Sequence, residues 1–309
     1  MFAQVLERLA TLGVGSIVAV FNGNYRPYTL AGHTRFVSID NPDNLGSAGG
    51  FRLGIEAARQ IDADYYLLLD DDNLPELDCL NKLFAVHAEL GGNPMQALLA
   101  YRPGQPWQGA VAQRGVVTVG RPNTYGWFNL LNLTFRLGLL LGISKPARNT
   151  ETSFPNAPVR IDRAPYGGLL LSRQALLLPE LPDPRFFCYY DDLDFSERLA
   201  RHGVTYHLCT EALIRDLELS WYVHKGRVHP LFSPVTSDQQ IFFDLRNAFI
   251  FYRTRMRSRT IYLLNGIGFW AGILSLALFR SADPGTTRRR LATIRRAVHH
   301  GSRGEFASY

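Results

Sequence analysis

Three consecutive carboxylates follow an apolar run in the first third of this chain. The run from Tyr65 to Leu69 has the length and composition of a buried strand, and Asp70, Asp71 and Asp72 follow it directly. Neighbouring like charges repel one another and lose hydration unless an opposite charge neutralises them. A divalent cation would do so, because hard cations bind carboxylate oxygens. The alternative is a polar turn with a helix cap, which explains one Asp more readily than three.

A second acidic cluster begins a predicted helix directly after two aromatic residues. It consists of Asp191, Asp192 and Asp194, and Tyr189 and Tyr190 precede it. A carboxylate held at a helix start can act as a general base, and aromatic rings beside carboxylates are common where sugar rings stack. The alternative is an N-cap whose acids stabilise the helix dipole, which accounts for one or two of the three.

One histidine could complete a metal site with the first acidic cluster. His224 follows the short aromatic run from Trp221 to Val223. A lone histidine is more often structural than a ligand. A ligand role for His224 is favoured more strongly here, because the Asp triplet implies a metal without a complete ligand set. Two carboxylates and one imidazole suit Mn²⁺ or Mg²⁺ that carries phosphate oxygens in its remaining positions.

A glycine-rich turn runs from Asn44 to Gly50 and leads into a predicted helix. Glycine allows a backbone to approach a phosphate or a sugar closely, and the following helix offers free N–H groups. The turn lacks the dinucleotide-binding fingerprint, and no P-loop lysine follows it. The chain also lacks the nucleophile elbow of an α/β-hydrolase.

The elements around these residues alternate between strand and helix. Because alternating strands and helices favour a parallel, doubly wound sheet, the predicted fold class is α/β with a mostly parallel sheet. Ligands bind at the carboxyl ends of strands in such sheets, where the turn at Asn22, the glycine turn and the Asp triplet all fall. Pro75 predicts the first turn of a helix, and residues 103–107 predict a loop. The predicted strands are Ser16–Phe21, Arg35–Ile39, Tyr65–Leu69, Ala97–Ala100, Gly115–Val119, Gly167–Ser172 and Thr205–Leu208.

Length and charge suggest a globular domain followed by a basic, apolar tail. The 309 residues carry a net charge of +6, and three cysteines without zinc-site spacing favour reduced thiols in the cytosol. Thr260 to Phe279 contains no charged residue and would be about 30 Å long as a helix. Arginines on both sides favour a helix at the surface of an anionic membrane; packing on the domain and spanning the bilayer are the alternatives. Nucleic acid is disfavoured as a partner, because the basic residues alternate with apolar rather than stacking residues.

Six motifs stand in the order found in family 2 glycosyltransferases, which this chain resembles from about residue 16 to residue 250. The closest likeness is to the bacterial galactofuranosyltransferase and rhamnosyltransferase branch. This resemblance implies a GT-A fold, a nucleotide-sugar donor and inversion at the anomeric carbon. The motifs are Asn44–Phe51, Asp70–Asp72, Tyr166–Gly168, Tyr190–Asp194, His224 and Leu245–Asn247.

The resemblance also implies roles for individual residues on the donor side. The matching positions are Asp70, Asp72 and His224 as ligands of Mn²⁺ or Mg²⁺, Asp71 as a donor contact, and Asn22 and Asn44 as uridine-side contacts. The family's first strand ends in a turn that holds the nucleobase, whereas this chain begins in the helix after that strand. Phe21 stands where an Asp often contacts the base.

On the acceptor side, the resemblance implies Asp192 as the catalytic base. The matching acceptor contacts are Tyr166, Gly167, Gly168, Asp191 and Asp194. The expected domains are a GT-A domain over 1–250, with a nucleotide-sugar half (1–95) and an acceptor half (96–250), and a tail over 251–309. The expected donor is UDP-galactofuranose and the expected acceptor a glycan or lipid-linked hydroxyl, used in cell-surface polysaccharide synthesis at the inner face of the membrane. The alternatives are a dTDP-rhamnosyltransferase of the same fold and a non-catalytic sugar-nucleotide-binding protein.

Overall fold

The computed structural model describes residues 1–23, 34–114, 121–131, 158–218 and 227–309, and the strand predicted over 115–119 lies outside these ranges. The strands are β1 (Ser16–Asn22), β2 (Arg35–Asn41), β3 (Tyr65–Leu68), β4 (Asn73–Pro75), β5 (Gln96–Tyr101), β6 (Val159–Ile161), β7 (Leu169–Ser172) and β8 (Thr205–Asp216). The α-helices are α1 (Phe2–Thr11), α2 (Gly46–Ala58), α3 (Cys79–Glu89), α4 (Pro106–Arg114), α5 (Arg173–Leu176), α6 (Asp191–Arg201), α7 (Asp238–Arg253), α8 (Arg259–Phe279) and α9 (Pro284–Arg303).

The chain divides into two compact units. The first comprises Met1–Val119, Ala147–Phe187 and Asp191–Glu218, and the second comprises Gly120–Pro146, Cys188–Tyr190 and Leu219–Tyr309. Residue 250, where the sequence suggested a boundary, lies within α7.

The first unit is a mixed α/β structure, which confirms the α/β part of the predicted class, while parallel pairing among the described strands is confined to the two longest ladders. β1 and β2 form one small sheet, and a second sheet has the order β3-β7-β5-β8-β4, with β6 also paired to β8. The two longest ladders, β1–β2 and β5–β8, are parallel, and the four shorter ladders of the second sheet are antiparallel. Helices cover both faces of the second sheet: Ile55 of α2 and Phe195 of α6 belong to one apolar cluster, and Leu83 of α3 belongs to another.

A register shift in the β5–β8 ladder brings a remote residue to the Asp triplet. Ala100 pairs with Cys209, whereas the next residue, Tyr101, pairs with Leu213. Beyond this irregularity β8 pairs with β4, which places Asp216 opposite Asn73. The end of β8 therefore lies beside the turn that holds the triplet.

Two local predictions are wrong. Pro75 is the last residue of β4 and pairs with Ile214, and the next helix begins only at Cys79. Proline fits there because β4 is an edge strand and proline has no N–H to donate. Pro106 begins α4 instead of lying in a loop, in the first-turn position that proline favours.

The second unit contains three consecutive long helices. α7 begins with a capping box formed by Ser237 and Gln240, and α9 packs against α7. α8 is long and apolar enough to cross a membrane, although buried core helices pass the same test. Only 22% of its most apolar window is buried. Four exposed residues fall on one side of α8, and this exposed apolar face consists of Leu264, Ile267, Leu274 and Leu278.

Candidate functional site

A buried asparagine organises the turn that holds the Asp triplet. The side-chain oxygen of Asn73 accepts a hydrogen bond from the backbone N–H of Asp70 at 3.1 Å, and its Nδ2 donates to Asp72 Oδ1 at 3.1 Å. Asn73 is fully buried, whereas 40% of the Asp70 side chain is exposed and Asp71 is exposed. Solvent or a ligand can therefore reach the carboxylates, while their backbone is fixed.

Two residues that the sequence reasoning missed lie against this turn. Nη1 of Arg102, which follows β5, is 3.6 Å from Asp70 Oδ2 and 3.3 Å from Asp216 Oδ1. Gln105 donates to the other oxygen of Asp216 at 2.9 Å. The position of Arg102 at the carboxyl end of a predicted strand could have indicated a role. No local pattern marks Asp216, because only the topology brings it here.

The cluster holds more negative than positive charge. Partial burial is the main cause that raises the pKa of Asp70 to about 7; the nearby Asp72, Asp192 and Asp71 raise it further, and the Arg102 guanidinium lowers it. Burial, followed by the charge of Asp216, also raises the pKa of Asp72. A bound cation would relieve this repulsion, and oxygen donors of this kind suit a hard divalent ion.

Metal ligation is only partly visible in the described residues. Asp70 and Asp72 share one turn, but His224 lies outside the described residues. Within the described ranges, no three His, Cys, Asp or Glu side chains are arranged to hold a metal ion. The two carboxylates fit as part of a ligand set, and a third ligand has to come from elsewhere.

Gly167 has to be glycine because the charged cluster packs directly over its Cα. A Cβ there would lie 2.5 Å from Arg102 Nη1 and 2.8 Å from Asp70 Oδ2, and closer still to Asn73 Oδ1. The sequence assigned this residue to the acceptor side, whereas the structure brings it against the Asp triplet. Its role is to leave space for Asp70, Asn73 and Arg102.

Gly167→Ala should therefore destabilise the first unit. The added methyl group forces buried polar side chains apart, and we expect a loss of about 1–3 kcal/mol in the free energy of unfolding, measured by urea denaturation. Gly109→Ala is the matched control, because its Cβ would meet Tyr101 Oη at an ordinary 3.5 Å. Equal stability of the two variants would contradict the packing argument.

The second acidic cluster forms the first turn of α6. Asp191 is buried, and the Ser47 hydroxyl donates to its two carboxylate oxygens at 3.2 and 3.1 Å. Burial, with the neighbouring charge of Asp192, holds the pKa of Asp191 well above its usual range. Asp192 Oδ1 accepts from the Leu193 backbone N–H at 2.7 Å. Burial raises the pKa of Asp192 to about 6, and the positive charge of Arg102 opposes this rise.

The two acidic clusters lie within electrostatic range of each other. The charge of Asp192 raises the pKa of Asp70, and the charge of Arg102 lowers the pKa of both. Asp70 and Asp192, more than a hundred positions apart in the sequence, thus lie within electrostatic range of the same guanidinium. The sequence motifs indicated both clusters, and the fold brings them to one place.

Three of the residues expected to contact an acceptor make contacts with other residues of the protein. Tyr166 is buried and stacks on Phe51 with ring centroids 3.9 Å apart, and the charge of the neighbouring Asp191 helps burial to raise its pKa. Asp194 accepts from Arg198 Nε at 2.8 Å. The N–H of Gly168, whose φ is +92°, donates to the Leu68 carbonyl at 2.8 Å. These contacts within the protein stabilise the residues around the site.

The expected uridine-side amides fix the glycine turn. Asn22 Nδ2 donates to the Gly46 carbonyl at 2.8 Å, and Asn44 Oδ1 accepts from the Gly46 N–H at 2.9 Å. Gly46 has a φ of +69°, and a Cβ on it would clash with the Phe187 carbonyl. The same carbonyl accepts from the Ala48 N–H at 3.0 Å. The glycine turn therefore packs directly on the segment before α6.

Comparison with known proteins gives structural likenesses alone. No protein-family model and no curated protein matches the chain. Among solved structures, the chain is similar to GalNAc-T7, solved with UDP, GalNAc and Mn²⁺, at 11% identity and a TM-score of 0.41. It is also similar to TarS of S. aureus, at 11% identity and a TM-score of 0.42.

Both of these proteins are glycosyltransferases of the GT-A type. The GalNAc-T7 match covers 70% of this chain and 37% of that one, and the TarS match covers 98% and 52%. This chain thus spans about half of the solved structures or less. Both TM-scores lie below 0.5, so these likenesses say nothing about the function of this chain.

Proposed function

We propose that this chain is an inverting glycosyltransferase that moves a sugar from a nucleotide-sugar donor to a hydroxyl of a glycan or lipid-linked acceptor. The observations that support this most are the turn of Asp70–Asp72, where Arg102 Nη1 is 3.6 Å from Asp70 Oδ2, and the position of Asp192 in the first turn of α6, within electrostatic range of Asp70. One acidic cluster suits a cation-bound diphosphate and the other suits a general base. Sugar transfer needs both at one site.

The donor side is assigned to the first cluster. We propose Asp70, Asp72 and His224 as ligands of Mn²⁺ or Mg²⁺, with Asp71 as a donor contact and Asn22 and Asn44 as uridine-side residues that also shape the glycine turn. A divalent ion bound there would neutralise the charge that develops on the leaving diphosphate. The Arg102 guanidinium adds a fixed positive charge beside the same carboxylates.

The acceptor side is assigned to the start of α6. The acceptor hydroxyl gives its proton to Asp192 while its oxygen bonds to the anomeric carbon, and the bond from that carbon to the diphosphate oxygen breaks. Attack from the face opposite the leaving group inverts the configuration. Asp191 and Tyr166 are buried and are proposed to keep Asp192 in place, with Asp194 and Gly168 in its surroundings. Gly167 instead leaves space for the Asp triplet.

The donor sugar is proposed from the sequence resemblance, which favours UDP-galactofuranose over dTDP-rhamnose. The full chain is incubated with each donor, with Mn²⁺ or with EDTA, and release of UDP or dTDP is measured beside thermal-shift binding. We expect Mn²⁺-dependent UDP release that Asp192→Asn slows by about 10²–10⁴-fold. Release of dTDP alone would indicate the rhamnosyl alternative. Binding without release from any donor would indicate a non-catalytic protein, and absence of both would refute the proposal.

We also propose that α8 lies at the surface of an anionic membrane on the cytoplasmic side, where a lipid-linked acceptor would be presented. The exposed apolar face of α8 supports this, together with exposed arginines at both ends of the helix, among them Arg257, Arg259 and Arg280. Apolar residues beside basic ones bind anionic lipid at the interface.

Flotation with liposomes tests this placement. The protein should float with phosphatidylglycerol vesicles and much less with phosphatidylcholine vesicles, because the arginines need anionic lipid. The double variant Ile267→Glu with Leu278→Glu should lose flotation, since both side chains are strongly exposed on α8. Leu77→Glu, at an exposed leucine of the first unit, is the matched control. Flotation unchanged in the double variant would contradict the proposal.

A further inference from the structure

The turn directly before α6 is held in an unfavourable backbone conformation. Phe187, Tyr189 and Tyr190 have φ values of +67°, +66° and +64°, in the left-handed region that costs L-residues roughly 1–2 kcal/mol each. Such a run persists only where surrounding contacts fix it. Because the next residues are Asp191 and Asp192, the path of this turn decides where both carboxylates start.

One buried side chain holds Cys188 and Tyr189 of this turn, which belong to the same compact unit as that side chain. Nδ2 of Asn247, on α7, donates to the Cys188 carbonyl at 2.7 Å and to the Tyr189 carbonyl at 3.0 Å. Asn247 is fully buried. Two consecutive carbonyls of the strained turn therefore accept hydrogen bonds from one amide group.

The neighbouring arginine fixes which way this amide faces. Arg246 donates to Asn247 Oδ1 through Nε at 2.9 Å and through Nη2 at 2.7 Å. A guanidinium can only donate, so the oxygen has to face Arg246 and the NH₂ group has to face the turn. Arg246 is itself buried, 4.7 Å from the centroid of the Phe243 ring.

We propose that Asn247 is a positioning residue for the catalytic base: its amide fixes the left-handed turn and so sets the position of Asp192. This inference rests on the proposed function, and it gives a role to the Leu245–Asn247 motif that the reaction itself does not use. A merely structural amide would contribute to stability alone. A positioning amide should also control turnover without controlling donor affinity.

Asn247→Asp tests this, because it keeps the size and the acceptor for Arg246 but turns a carboxylate oxygen toward two carbonyls. We expect kcat for UDP release to fall about 10²-fold, the usual cost of a misplaced catalytic group. KM for the donor and Kd for UDP should stay within about threefold of the parent values. The kcat of Asn247→Ser, which keeps one donor, should lie between that of the parent and that of Asn247→Asp. This variant provides the test if Asn247→Asp does not fold.

Asn265→Ala is the matched control. Asn265 is a buried amide on the side of α8 opposite the exposed apolar face, donates to the Asn123 carbonyl at 2.7 Å and accepts from the Leu130 N–H at 2.8 Å. It should lose thermal stability but keep kcat within twofold. Equal kcat in Asn247→Asp and Asn265→Ala would overturn the positioning role. A parent protein that releases no UDP would instead refute the proposed function.

Discussion

Asp192→Asn is expected to lower kcat by about 10²–10⁴-fold, the usual contribution of a general base. Asparagine keeps the shape of the side chain but cannot take the acceptor proton. In the proposed assignment the first cluster binds the donor, so the Kd for UDP with Mn²⁺ should change little. Calorimetric titration and initial-rate measurements check the two halves of this expectation.

Asp78→Asn is the control for this variant. Asp78 also precedes a helix of the first unit, but it is exposed and pairs with Lys82 at 2.7 Å. Its kcat should equal that of the parent. Loss of UDP binding with transfer preserved in Asp192→Asn would exclude Asp192 as the base.

Asp192→Asn should also increase the free energy of unfolding at high pH. In the folded state the pKa of Asp192 is about 6, above its ordinary value of 3.8, so the folded form binds the proton more tightly than the unfolded form. The stability that the folded form gains from this tighter proton binding is fully present below pH 4 and is lost as pH rises through 6. We expect Asp192→Asn to gain about 1–3 kcal/mol at pH 8, allowing for partial solvent exposure. The gain should vanish near pH 4 in parallel melting curves.

Arg290→Met should cause the largest loss of stability in the second unit. Arg290 is 1% exposed and donates to the Ser233 carbonyl at 3.0 Å, to the Thr236 carbonyl and to Asp238 Oδ1. Its removal leaves two carbonyls and a carboxylate oxygen without this donor. We expect a loss of about 3–5 kcal/mol, the usual cost of breaking a buried ion pair, measured by chemical denaturation.

Arg289→Met separates burial from charge in this test. Arg289 pairs with the other oxygen of the same carboxylate at 3.0 Å, but 57% of its side chain is exposed. Exposed pairs contribute about 0–1 kcal/mol, so this variant should stay close to the parent. Equal losses of stability in the two variants would show that the net charge, and not the buried hydrogen bonds of Arg290, stabilises the packing of α9 on α7. The basic run therefore has at least one structural arginine, which the sequence could not separate from its neighbours.

The sequence predicts those parts of the site that have local signals. Asp70–Asp72 end an apolar strand and Asp191–Asp194 begin a helix, so each pattern is readable within ten residues. Arg102 and Asp216 reach the triplet only through β5, β8 and a register shift, and such long-range pairing leaves no local pattern. Pro75 predicts the first turn of a helix, but the residues that follow the triplet form an edge strand. Tyr166 resembles an exposed acceptor contact until its burial against Phe51 is known.

The contact between Gly46 and the Phe187 carbonyl limits how this protein can be engineered. A library that alters donor preference would first vary residues 44–50, yet any side chain at 46 displaces the Phe187 carbonyl, which is part of the strained turn. Variants selected for a new nucleotide would then lose turnover for a reason unrelated to nucleotide recognition. Combinatorial libraries should keep glycine at 46 or vary positions 46 and 187 together, so that donor preference and turnover can be selected separately.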